Sequence, residues 1–230
     1  AARFVDAFAN SILIIILPLY VAAIPSEHLH LPVETLVGIL IATFGIVSSF
    51  SQPFAGRASD RLDRRKIFII IGLLMMGIAT FVFAEAEQFL HLVVIRGVQG
   101  LGFALTIPAT LSLMAEYTEM HSRGGAMGIY TTMRMIGFAT GPVLGGILHV
   151  HFGFETAFYL VGILSILGAF IVWLMVREPE KIESDAARVR KLPRFRDSIS
   201  GEFIILGIAS IIMAAAISMM VALENEFNHR

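Results

Sequence analysis

Cysteine is absent from this 230-residue chain, which excludes disulfides, thiol nucleophiles and thiolate metal sites together. Charge is scarce too. Asp, Glu, Lys and Arg supply 15% of the residues, where a soluble domain carries about 25%. Hydrophobic residues reach 57% and mean hydropathy is +0.80, so the composition is that of a membrane protein. The net charge of -1 favours no class of partner, and no nucleic acid is expected. No G-x-x-x-x-G-K-[ST] phosphate loop occurs, nor any pattern of a hydrolase or redox centre. The chain is expected to be no enzyme and to use no cofactor or metal. The first apolar stretch, after Ala1, lacks the small-residue cleavage site of a signal peptide.

A helix needs about 20 apolar residues to cross a bilayer's hydrocarbon core. Seven stretches qualify: 4–24, 36–58, 67–84, 89–115, 125–150, 156–176 and 203–223. The connection after the second carries Arg57, Arg61, Arg64, Arg65 and Lys66, and that after the fourth carries Arg123. The segment after the sixth holds Arg177, Lys181, Arg188, Arg190, Lys191, Arg194 and Arg196. The alternate connections, 25–35, 85–88 and 151–155, hold no Lys or Arg. The positive-inside rule therefore expects a multi-pass plasma-membrane protein with its N-terminus and basic connections in the cytoplasm.

Three domains are expected. Residues 1–176 form a six-helix transmembrane unit, 177–202 a polar cytoplasmic linker containing Pro179 and Pro193, and 203–230 the first helix of a second, truncated unit. Asn10-Ser11-Ile12 and Ala209-Ser210-Ile211 form a weak echo between the first and seventh spans.

Glycine is concentrated in the fifth span. Gly137, Gly141 and Gly145 recur every four residues, so on a helix they share one face, leaving a groove where another helix approaches closely. Pro142 removes a backbone donor and crowds the carbonyl of Phe138, which predicts a bend in that groove. A tightly packed helix pair is one explanation. The whole pattern, Gly128, Gly137, Gly141-Pro142 and Gly145-Gly146, also resembles the antiporter motif on the fifth helix of proton-coupled drug exporters in the major facilitator superfamily. The resemblance implies an all-α integral membrane fold: the N-terminal six-helix half of a twelve-helix transporter, plus one further transmembrane helix. It implies alternating access around a midplane site, with export driven by inward proton flow. The glycine face would then pack against the missing C-terminal half.

Two further segments carry the same resemblance. Gly56, Asp60, Arg61, Arg64, Arg65 and Lys66 resemble the superfamily's G-x-x-x-D-R-x-G-R-R signature between the second and third helices. That resemblance implies a conformational latch in which Asp60 pairs with a facing Arg or with the positive end of a helix from the other half. Asp63 stands where the family has Gly, and Asp tolerates a left-handed backbone better than most residues. Arg96-Gly-Val-Gln99-Gly resembles the family's R-x-x-Q-G signature on the fourth helix, which implies proton coupling. A cation beside a carboxylate favours its ionised form, so an arginine that shifts helps to load and release a proton. The alternative is an Arg96 that snorkels to the external interface or pairs statically with a helix end.

Arg134 lies near mid-depth of the fifth span, either pairing across helices or facing the cavity. Asp6 lies near the start of the first span, either titrating as acidic residues do there in tetracycline-type exporters or solvated at a frayed helix end. No carboxylate sits at the midplane of the first six spans. Glu116 and Arg123 are expected to pair. His28, His30, His91, His149 and His151 gather at the ends opposite the basic connections, where alternate loop residues seldom converge on a metal.

The expected function is secondary active transport: proton-coupled efflux of drugs or other small lipophilic molecules. Its partners are the substrate, protons, the lipid bilayer and a C-terminal half. The alternatives are a superfamily carrier of sugars or metabolites without proton antiport, and a non-transporting membrane subunit.

Overall fold

The computed structural model describes residues 2–23, 31–118 and 122–177. The linker beyond Arg177, the expected seventh span, His28 and His30 lie outside the described residues. By its internal contacts the chain divides into a unit Ala1–Glu180 and a unit Lys181–Arg230; only the first is described below.

Long apolar runs in lipid must satisfy every backbone N–H and C=O internally, and a helix does so within one segment. The described residues accordingly form α1 (Ala2–Ala23), α2 (Val33–Leu62), α3 (Arg65–Ala84), α4 (Phe89–Tyr117) and α5 (Arg123–Met175), with no strand among them. Each is long and apolar enough to cross a membrane. Pro18, Pro53, Pro108 and Pro142 all lie inside helices.

Two connections differ most from the sequence expectation. Helix α2 continues past residue 58 to Leu62, so Gly56, Asp60 and Arg61 ride on its last turns, and the turn shrinks to Asp63 and Arg64. The fifth and sixth spans are joined by a single non-helical residue, Gly153, at φ 82° and ψ 178°. A Cβ placed on Gly137 would lie 2.8 Å from the carbonyl oxygen of Phe4, and one on Gly168 3.2 Å from Val5. Positions nearly equidistant from Gly153 on either side thus meet neighbouring residues of α1. The chain reverses at Gly153, and α5 contributes two crossing arms, 123–152 and 154–175. The helical backbone continues through Pro142, and the non-helical residue in α5 is Gly153.

Helix α1 lies against α5, α3 against both α4 and α5, and α2 against α4. Lipid is as apolar as leucine, so these seams depend on close packing rather than on hydrophobic burial. Gly72 of α3 faces the Gly102 carbonyl of α4, and Gly77 of α3 faces Gly162 of α5. Near one end, Tyr20 packs edge-on against Phe154 and Phe158, and its hydroxyl lies 3.2 Å from the carbonyl oxygens of Phe83 and Ala86. It thereby brings a donor to carbonyls at the end of α3 and in the turn that follows it. Ile46, Phe50, Phe54, Val150 and Trp173 point outward, as a lipid-facing surface requires.

Candidate functional site

The glycine face of α5 meets α1. A Cβ on Gly137 would crowd Phe4, Ala7 and Phe8; one on Gly141 would collide with Ser11 and the Phe8 carbonyl; one on Gly145 would touch Ile12. The Ser11 hydroxyl lies 3.1 Å from both the Gly137 and Phe8 carbonyl oxygens, joining the two helices at this point. The expectation that this face packs against a second half is therefore corrected, because the closest backbone approach lies within the described unit. Gly128 and Gly146, off that face, have open space where a Cβ would go.

Asp6, Arg96 and Arg134, from α1, α4 and α5, line one cavity of about 270 Å³. Asn10, Phe44, Phe103 and Phe138 share its wall. Asp6 is 1% exposed, which removes the solvated, frayed-end reading. Asn10 Nδ2 donates to the Asp6 backbone oxygen at 3.0 Å and to Asp6 Oδ1 at 3.3 Å. Arg96 is 4% exposed and does not snorkel. Its Nη1 donates to Gln99 Oε1 at 3.3 Å, and its guanidinium carbon lies 5.9 Å and 5.6 Å from the Phe44 and Phe83 ring centres. Its Nε is buried without a partner among the described residues. Arg134 is half-buried and faces this cavity. Two cations, one carboxylate and three aromatic rings thus surround a mostly apolar space, a setting in which charge interactions are stronger than in water.

At the basic end, Arg65 lies 3.6 Å from Asp60 and 3.8 Å from Asp63, and also pairs with Glu116. The Ser112 hydroxyl donates to Asp60 at 3.2 Å. One guanidinium therefore ties the end of α2 and the start of α3 to the end of α4. The expected Glu116–Arg123 pair is replaced: Glu116 takes Arg65, while Arg123 donates to the Ala115 carbonyl at 3.4 Å. Asp63 adopts φ 51° and ψ 35°, the left-handed geometry that glycine fills most easily. Gly56 brings α2 close to Pro108 of α4. Arg61 and Arg64 are exposed.

At the opposite end, His149 lies against Phe154 with ring centres 4.1 Å apart, whereas His151 approaches the Ile147 carbonyl of its own helix at 3.0 Å. The two rings do not converge. Sequence reasoning missed Asn10, Ser11, Phe44, Phe103 and Phe138 as site residues. Asn10 and Ser11 had a signal, two polar residues inside an apolar run, whereas the phenylalanines have none in a chain holding 18 of them.

The family model of the Major Facilitator Superfamily matches residues 1–229. Multidrug resistance protein 1 of Bacillus subtilis (strain 168) is 34% identical over 156 residues, 67% of this chain and 39% of that protein. Quinolone resistance protein NorA of Staphylococcus aureus (strain MRSA252) is 27% identical over 184 residues, 79% of this chain and 46% of that protein. The chain thus spans less than half the length of either relative. Among solved structures, a bacterial homolog of the human lysosomal transporter Spinster, in an inward-facing and occupied conformation, matches with a TM-score of 0.60 and 20% identity. That match covers 77% of this chain and 43% of the other, and shows the fold alone. With a family match over nearly its whole length and, among the described residues, five helices long and apolar enough to cross a membrane, the chain belongs to the Major Facilitator Superfamily.

Proposed function

We propose that this chain supplies the N-terminal six-helix half of a proton-coupled exporter of lipophilic drugs in the plasma membrane. Residues 177–202 would link it to a second half opened by 203–230, and its N-terminus and basic connections would face the cytoplasm. The observation that carries the reading is that Asp6, Arg96 and Arg134 line the same cavity. A carboxylate near mobile guanidinium groups is a proton carrier in waiting: it binds a proton when the cations withdraw and releases it when they return. Arg96 has a buried Nε donor without a partner among the described residues, so an ionised carboxylate brought to it gains a charge-assisted hydrogen bond. Phe44, Phe103 and Phe138 supply flat apolar surface for an aromatic or cationic drug. The names of two relatives, a multidrug resistance protein and a quinolone resistance protein, support drugs as the cargo.

In this mechanism the two halves rock about the cavity. The cluster of Arg65 with Asp60, Asp63 and Glu116 acts as the latch at the basic end. The test is proton movement in proteoliposomes holding the whole transporter, with lipophilic drugs and sugars added one at a time. Drug-evoked proton movement that falls to background in Arg96→Ala is the expected result. Drug or sugar flux without proton movement overturns the coupling, and no flux of any kind favours a non-transporting subunit.

A further inference from the structure

Arginine has donors and no acceptor. The Gln99 atom that meets Arg96 Nη1 at 3.3 Å is therefore the amide oxygen, and this turns the Gln99 NH2 group the other way. There it donates to Thr80 Oγ1 on α3 at 3.0 Å. The Thr80 proton is committed to the Met76 carbonyl at 2.7 Å, so toward Gln99 the hydroxyl acts as an acceptor. The direction of each of these three bonds is thereby fixed. Flipping the Gln99 amide would set donor against donor at Arg96 and acceptor against acceptor at Thr80. Arg96, Gln99 and Thr80 are 4%, 2% and 2% exposed, so bulk water does not relieve such a mismatch.

We propose that Thr80 is a positioning residue: through Gln99 it fixes where the Arg96 guanidinium points into the cavity, an inference that rests on the proton-coupled reading above. Thr80 does not line the cavity, and its hydroxyl reaches Arg96 only through Gln99, from a neighbouring helix. The arrangement makes the aim of Arg96 depend on how α3 lies against α4. A displacement of α3 that lengthens the Thr80–Gln99 bond frees the amide to turn and releases Nη1.

The test uses the whole transporter in nanodiscs with 15N-labelled arginine, and the Arg96 signals are assigned by their loss in Arg96→Lys. In the native protein the Arg96 Nη signals are expected to be resolved, because the hydrogen bond hinders rotation of the guanidinium. Thr80→Val, which keeps the shape and removes the acceptor, should merge or broaden them, and Thr80→Ser should restore them. In proteoliposomes Thr80→Val should slow drug-evoked proton movement roughly tenfold, as displaced reacting groups do, and shift its pH profile, with Thr80→Ser again restoring both. Should valine unsettle the α3–α4 seam, Thr80→Ala, which adds no atoms, carries the same expectations. Unchanged Nη signals and an unchanged pH profile in Thr80→Val overturn the proposal. If the native protein moves drug but no protons, the coupled reading fails separately, and the Nη signals with labelled-drug flux still decide whether Thr80 positions Arg96.

Discussion

At Gly141 a side chain has no room: its Cβ would lie 2.9 Å from Ser11 Cβ and 3.0 Å from the Phe8 carbonyl oxygen. Either α1 or Ser11 must move, and overpacking of this kind costs about 1–3 kcal/mol. Gly146 belongs to the same sequence motif but meets nothing within 4 Å. Gly141→Ala is therefore expected to lower thermal stability in detergent by that amount. Gly146→Ala should stay within about 0.5 kcal/mol of the native protein. Equal losses at both positions would mean that the α1–α5 seam is not the reason for the motif's glycines. Asp63 makes the complementary point: glycine's usual place is filled by a residue that reaches φ 51° and adds a carboxylate 3.8 Å from Arg65.

Among the elements, α5 depends on one residue to become two crossing arms. At φ 82° and ψ 178° Gly153 occupies a region that L side chains rarely enter, although no atom crowds it. The cost of a substitution is therefore backbone strain rather than collision, about 1–3 kcal/mol. Gly153→Ala should lower the melting temperature in detergent without any second-site rescue on α1, whereas Gly141→Ala should be partly rescued by Ser11→Gly. The basic-end cluster obeys different physics. Arg65 meets Asp60, Asp63 and Glu116 on partly exposed ground, where each pair contributes at most about 1 kcal/mol and salt screens it. Arg65→Ala is expected to lower stability modestly, by a margin that narrows in high salt. A margin indifferent to salt would assign Arg65 a packing role instead.

At the scale of the whole unit, the absence of cysteine from these 230 residues lets a single introduced cysteine in this chain be followed when mapping which end faces which compartment. Arg61 and Gln88 are exposed at opposite ends of the described unit, one beside the basic turn and one in a connection without Lys or Arg. In intact cells Gln88→Cys should react with a membrane-impermeant maleimide, and Arg61→Cys only after the cells are opened. The reverse pattern would invert the topology on which the export direction rests.

The helices of the described residues and their order were legible in the sequence, because a backbone in hydrocarbon has few alternatives to helix and apolar length marks each crossing. The left-handed turn at Asp63 and the three scattered residues Asp6, Arg96 and Arg134 were legible for a similar reason. A glycine position filled by Asp, and charges inside apolar runs, are conspicuous wherever they occur. Which faces meet was not legible. Membrane helices are apolar on all sides, so hydrophobic periodicity does not separate protein-facing from lipid-facing residues. Only the tertiary structure turned the glycine face of α5 toward Ser11 of α1, gave Glu116 to Arg65 rather than Arg123, buried Arg96 instead of letting it snorkel, and brought Thr80 to Gln99. These are decisions of side-chain geometry between helices distant in sequence, settled by steric fit and by the pairing of each buried donor with an acceptor.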